Sequence, residues 1–208
     1  MSKVTIFGTP LRIRPVVLVN LGMLWAVAAF LEHFWHPHWT LGLILAVGFG
    51  AVILLLLADF GHAAAHIFSA RRSGGPMDEL YISGGMPRTR YFNNDVPPEV
   101  HIGRSLGGPI FNLAGTLVSL AVLLLATNGS VMADLAGWSL TGQALILAGS
   151  LLPLPVVDGG VLLKWWLVRG GRTEAEAERF VKRAGWVSGI VIALVVVGVI
   201  AFRRGWLG

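Results

Sequence analysis

The chain has 208 residues, 55% hydrophobic and 13% charged, with a net charge of +5 and no cysteine. A soluble domain carries about 25% charged residues, whereas here residues 15–31, 40–58, 105–133, 135–157 and 184–202 contain no Asp, Glu, Lys or Arg. About 20 apolar residues cross a bilayer core of about 30 Å, so the pattern excludes a soluble globular protein, a disordered chain and a disulfide scaffold.

The sequence pI of about 10.4 reflects Lys and Arg flanking apolar spans, as the positive-inside rule expects. No basic run with interleaved aromatics is present, so nucleic acid is not an expected partner. The expected surroundings are the lipid bilayer.

Residues 1–10 are polar and lack a cleavage site of small residues, so the first apolar run reads as a retained span, not a signal peptide. Lys3, Arg12 and Arg14 precede that span, residues 16–35, which predicts a cytoplasmic N-terminus. Glu32, His33, His36, Pro37 and His38 form an external turn beside Trp35 and Trp39, read as an aromatic belt. The second span, 40–70, ends in Arg71-Arg72. Residues 71–104 form a polar insert in which 77–83 alternate as a strand does and Gly84-Gly85 marks a turn.

The third span is expected at 109–127. The fourth run, 140–157, is interrupted by Pro153 and Pro155 and followed by Asp158-Gly159-Gly160. Proline removes a backbone donor and clashes with the preceding turn, so this segment is expected to be broken. Irregular backbone at membrane depth survives where it lines a protein-buried or watery cavity. Residues 161–168 read as a continuation beyond the break. Thr173-x-x-Glu176 is a capping box opening a short charged helix, and 184–202 form the last span. Five or six spans are compatible with the pattern.

Ionisable groups inside a span are costly and mark functional sites by default. Asp59, His62 and His66 fall on one helix face at spacings of three and four. An i, i+4 histidine pair lets two imidazoles grip one metal ion, although two histidines bonded to neighbouring helices satisfy the same spacing. A catalytic zinc site takes a third ligand and leaves a fourth position open. Asp158 is the deep carboxylate available from elsewhere in the chain, and Asp59 is placed to orient a ligand ring.

These residues resemble a known family. Phe60-Gly61-His62-Ala63-Ala64-Ala65-His66 looks like the HExxH helix of the site-2 protease family of intramembrane zinc metalloproteases. Ser150-Leu-Leu-Pro153-Leu-Pro155-Val-Val-Asp158-Gly159-Gly160 is similar to its NxxPxxxxDGG motif, and Gly108-Pro109-Ile-Phe-Asn112 to the opening of its third core span. Leu80-Tyr-Ile-Ser with Gly84-Gly85 resembles its membrane-associated strand and turn. The motifs cover residues 40–168 in the family's order, within a single expected domain of residues 1–208 like the compact members without PDZ or CBS modules.

The resemblance implies an all-α polytopic membrane protein with a small β insert. It implies one zinc ion per chain, held by His62, His66 and Asp158. It also implies a single-span membrane protein as substrate, cut within or near the bilayer of a prokaryotic cell. The strand at 77–83 is expected to pair with an unwound substrate, and Asp59, Asn112, Ser150, Gly84 and Gly85 are the candidates for orienting a ligand or touching substrate.

The chain departs from the family's motifs at two places. Ala63 stands where the catalytic Glu is expected, and losing a general base typically costs about 10²–10⁴ in rate. Ser150 stands where Asn is usual. Ala63 therefore implies an inactive chain, either an engineered substrate trap or a pseudoprotease. Two further readings are a non-catalytic binder of membrane helices and a di-iron membrane desaturase or hydroxylase. The latter suits an HxxxH box but resembles eight-histidine sets, and this chain has six His. A metal transporter would distribute its ligands along a path, whereas these converge.

Overall fold

The computed structural model describes residues 4–84 and 87–203. Helices dominate: α1 Val16–Trp35, α2 Leu41–Arg72, α3 Pro98–Leu125, α4 Val131–Ser150, α5 Asp158–Arg169 and α6 Glu174–Arg203. Among the described residues, five of these are long and apolar enough to cross a membrane, and the short α5 is not. Large apolar side chains such as Leu18, Phe49, Leu117, Leu145 and Val197 point outward. Such exposure is untenable in water and is what a lipid-facing surface requires.

Helix boundaries follow local chemistry. Thr40 caps α2 by accepting from the Leu43 N–H at 3.4 Å, and Ser130 caps α4 through the Ala133 N–H at 3.2 Å. The capping box forms as expected: the Thr173 N–H donates to Glu176 at 2.9 Å, and the Glu176 N–H donates back to the Thr173 hydroxyl at 3.3 Å. The helix that it opens is not short, because α6 runs without a break from Glu174 through the whole final span. Helix α3 also begins earlier than its apolar run, at Pro98, and carries Pro109 inside it. The polar turn of α3 at its start is held by the insert and not by lipid.

Four strands, β1 Thr5–Ile6, β2 Thr9–Ile13, β3 Glu79–Ile82 and β4 Arg88–Arg90, form one sheet in that order. β1 and β2 are an antiparallel hairpin turning on Phe7 and Gly8, both at positive φ. β2 runs parallel to β3 with Leu11 opposite Leu80, and β4 runs antiparallel to β3 with Thr89 opposite Leu80. The N-terminal hairpin was not legible as strand, since residues 1–10 read only as polar. It corrects one expectation directly: β3, the strand expected to receive substrate, is flanked on both sides, and the open edges belong to β1 and β4.

The sheet rests on α2. Ala63, Ile67, Met77 and Leu80 form a buried cluster, with Phe60, Leu11 and Tyr91 packed against it. Residues 60, 63 and 67 are thus one stripe of α2, turned to the sheet, while 58, 62 and 66 lie on the stripe turned to α3. Glu79 sits buried between Arg12 and Arg90, which ties β2, β3 and β4 together.

Candidate metal centre

Asp158 opens α5 immediately after the break between α4 and α5, where the backbone bonds locally. Leu154 N–H donates to Leu152 O at 2.8 Å, and Val157 N–H to Leu154 O at 3.2 Å. Gly159 and Gly160 permit this path, because a Cβ on either would collide with the carbonyls of Leu151 or Leu154. The chain doubles back tightly enough to aim Asp158 at α2.

The three residues meet. His62 Nε2 lies 3.1 Å from Asp158 Oδ2, His66 Nε2 lies 3.3 Å from Asp158 Oδ1, and the two Nε2 atoms are 3.1 Å apart. His62 is half-buried and His66 is buried. Each imidazole spends its other nitrogen on a carbonyl oxygen. His62 Nδ1–H donates to Asn112 Oδ1, and His66 Nδ1–H donates to the Arg104 backbone oxygen at 2.7 Å. Both Nε2 atoms are therefore lone-pair acceptors facing each other and a carboxylate. Acceptors this close repel unless a cation stands among them, and two imidazoles plus a carboxylate are a donor set that zinc takes. The residues fit the metal.

Small residues on α3 let it approach. A Cβ at Gly108 would collide with the Nε2 atoms of both histidines, and one at Gly107 with the Ala65 carbonyl. Asn112, fully buried, donates its amide to Ala58 O at 3.2 Å and to Gln143 Oε1 at 2.6 Å. It is the residue that joins α2, α3 and α4 behind His62.

The remaining candidates separate. Asp59 makes no hydrogen bond to either imidazole among the described residues; those bonds go to Asn112 and Arg104, which the sequence argument did not assign to this task. Ser150 donates to its own helix at Leu147 O, 3.0 Å. Gly84, at φ 101°, offers its carbonyl to Asn20 on α1, and Gly85 lies outside the described residues. Ala63 sits within the apolar cluster under the sheet, one residue along the helix from His62. Gln143 and the Arg104 carbonyl carried no motif signal. His33, His36 and His38 lie at the far end of α2, so the histidines do not gather into one centre as a di-iron site requires.

A cavity of about 540 Å³ opens beside the centre, lined by His66, Asp158, Thr89, Tyr91, His101 and Arg104, among others. Arg104 is buried yet fully used: Nε donates to Gly75 O at 2.8 Å and Nη1 to Asn93 O at 3.1 Å, while the guanidinium covers the Tyr91 ring. Burial pushes the Tyr91 phenol up to about 12, so it stays protonated, and its hydroxyl has no partner.

No family model matches the chain. Over 166 residues it is 28% identical to Rip3 of Mycobacterium tuberculosis strain Erdman, a protein whose naming as a zinc metalloprotease is provisional. The match takes in 77% of this chain and 41% of that protein, and the strain H37Rv protein gives the same figures. The chain thus spans less than half the length of the curated relatives it matches. Among solved structures it superposes on the site-2 protease from Methanocaldococcus jannaschii with a TM-score of 0.56 at 14% identity, covering 96% of this chain and 84% of that one. The fold and the site define a multi-pass membrane protein of metalloprotease type. By motif, sequence similarity and fold, it groups with the site-2 protease family of membrane zinc metalloproteases.

Proposed function

We propose that the chain is an intramembrane zinc metalloprotease scaffold of the site-2 protease type that engages a single-span membrane protein and, with Ala63, does not cleave it efficiently. The observation that carries this reading is the convergence of His62, His66 and Asp158 with both Nδ1 protons already spent. One zinc ion held by these three residues would supply Lewis acidity toward a peptide carbonyl or a water molecule. The chain's own residues do the rest. Asn112 and the Arg104 carbonyl fix the imidazole tautomers, Gly108 leaves room above them, and the cavity gives water a path.

Peptide hydrolysis also needs a base for the attacking water and an acid for the leaving amine. No carboxylate stands at position 63, and Asp59 lies a full turn away. The unpartnered Tyr91 hydroxyl is a neutral donor that suits a substrate carbonyl. Substrate is taken at the open edge of β4, whose Thr89 lines the same cavity as His66 and Asp158. The cavity favours a cytoplasmic centre shallow in a prokaryotic plasma membrane, with His66 five residues from Arg71. That distance is about 7–8 Å along the helix.

Ala63 also favours a second reading, a non-catalytic binder of membrane helices. Restoring the base separates the two. The Ala63→Glu variant, purified in detergent with zinc, is incubated with single-span substrates. Cleavage that appears in this variant and disappears on adding His66→Ala or Asp158→Asn supports the protease scaffold. A substrate that binds yet stays intact supports the binder.

A further inference from the structure

A second cluster of metal-ligating groups lies at the opposite end of α2, about 33 Å along the helix from His62 at 1.5 Å per residue. Glu32 and His36 stand one turn apart at the end of α1, and Asp134 opens α4 across from them. His36 Nε2 is 3.0 Å from Asp134 Oδ2 and 3.9 Å from Glu32 Oε2, and one donor atom from each residue lies within 4.8 Å of the others. Ligands about 2.0–2.2 Å from a zinc ion stand about 3.3 Å apart at tetrahedral angles, so the spacing is that of a coordination shell.

Glu32 is fully buried, and only one of its oxygens has a donor: Trp138 Nε1–H gives a 2.6 Å hydrogen bond to Oε1. Glu32 Oε2 and Asp134 Oδ2 are buried with no hydrogen-bond partner. His36 approaches Asp134 without the alignment of a hydrogen bond, and its ring stacks on Trp39 at 4.0 Å. Two carboxylates against one imidazolium leave a net negative charge in a poorly hydrated place. Two carboxylates and a neutral imidazole around a divalent cation sum to zero. Buried carboxylate oxygens without donors are costly, and pairing with a cation is how proteins meet that cost.

From this geometry we propose a second divalent-cation site, formed by Glu32, His36 and Asp134, that takes zinc or a similar transition ion. Trp138 orients one ligand, and the indole of Trp39 braces another. The ion ties the α1–α2 turn to the start of α4, the end of the bundle away from the first centre. The mixed imidazole and carboxylate set suits zinc, manganese or cobalt over calcium. The site is independent of the proteolytic reading, because none of its residues reaches the cavity at His66.

The full chain, stripped of metal in detergent and dialysed against buffered Zn²⁺, is read by metal content per folded chain. Two zinc ions are expected. The His62→Ala/His66→Ala variant should keep one, as should Asp134→Asn or Glu32→Gln, and combining the two sets should leave none. Co²⁺ loaded into the His62→Ala/His66→Ala variant should give visible d–d bands that Asp134→Asn abolishes. Asp134→Asn is isosteric and part-exposed, so it decides the matter if Glu32→Gln does not fold. Retention of equal zinc by the unaltered chain and Asp134→Asn would overturn the proposal. So would a His62→Ala/His66→Ala variant that is folded, helical and free of metal.

Discussion

Asn112 on α3 fixes the proton of His62 on α2. Both Asn112 amide protons have acceptors, Ala58 O and Gln143 Oε1, so its oxygen must face the ring and receive the Nδ1–H. The Nε2 lone pair is thereby aimed at Asp158. A hydrogen bond three helices wide sets the state of one metal ligand.

Asn112→Leu should therefore weaken zinc binding by about 10–100-fold, the usual cost of losing a group that orients a ligand. His62 remains in place but loses its fixed tautomer, and Gln143 loses a partner as well. A titration against a chromophoric chelator, with the fold followed by circular dichroism, reads the change. Unaltered affinity would show that His62 is held by something else.

Gly108→Ala tests how closely α3 approaches the imidazoles. The added methyl would occupy the space between the two Nε2 atoms, so zinc binding should be lost while the helical fold persists. Gly137→Ala on α4 is the control, since a Cβ there meets nothing within 4 Å. It should bind zinc normally and gain about 0.5–1 kcal/mol of helix stability. The pair of variants is compared by zinc stoichiometry and thermal melting in detergent.

Much of this was legible in the sequence, and the reason lies in lipid. Apolar runs without charge announced the five long helices, and Val16–Trp35 falls where its flanking charges and Pro15 put it. The proline pair and the Gly-Gly announced the break before Asp158 for purely backbone reasons. What was hidden depended on contact between distant segments. The β1–β2 hairpin is short and polar, and it becomes sheet only because β3 offers an edge. Gln143 and the Arg104 carbonyl bear no spacing signature, since a backbone oxygen has no letter in the sequence. Glu32 and Asp134 are 102 positions apart, and their meeting at His36 follows only from the packing of α4 against the α1–α2 turn.

Arg104 serves two structures through two different atoms, which makes its roles separable. Its side chain donates to Gly75 O and Asn93 O, near the two ends of the insert, while its backbone oxygen receives His66. Arg104→Met removes the donors and leaves buried carbonyls unpaired, at about 1–3 kcal/mol. The carbonyl of residue 104 is untouched. The variant should melt earlier and expose the insert to proteolysis, yet hold zinc as before. Loss of zinc at full folding would mean that the guanidinium, and not the main chain, maintains His66.

The order of strands decides where an extended substrate could add. β3 is hydrogen-bonded on both sides, so an incoming chain has only the edges of β1 and β4. The β4 edge borders the cavity, through Thr89, that also contains His66 and Asp158, whereas the β1 edge lies on the far side of the sheet. An extended segment on β4 would run beside the metal ligands with its backbone groups paired, which an unwound helix in a membrane requires. A photo-crosslinking residue at Arg88, exposed on β4, should therefore capture a synthetic single-span peptide with a central Gly-Pro break, and the same residue at Thr5 on β1 should not. The Ala63 chain suits the experiment because a peptide bound without cleavage accumulates. Capture from Thr5 instead, or equally from both, would move the docking edge away from the cavity and sever it from the metal centre.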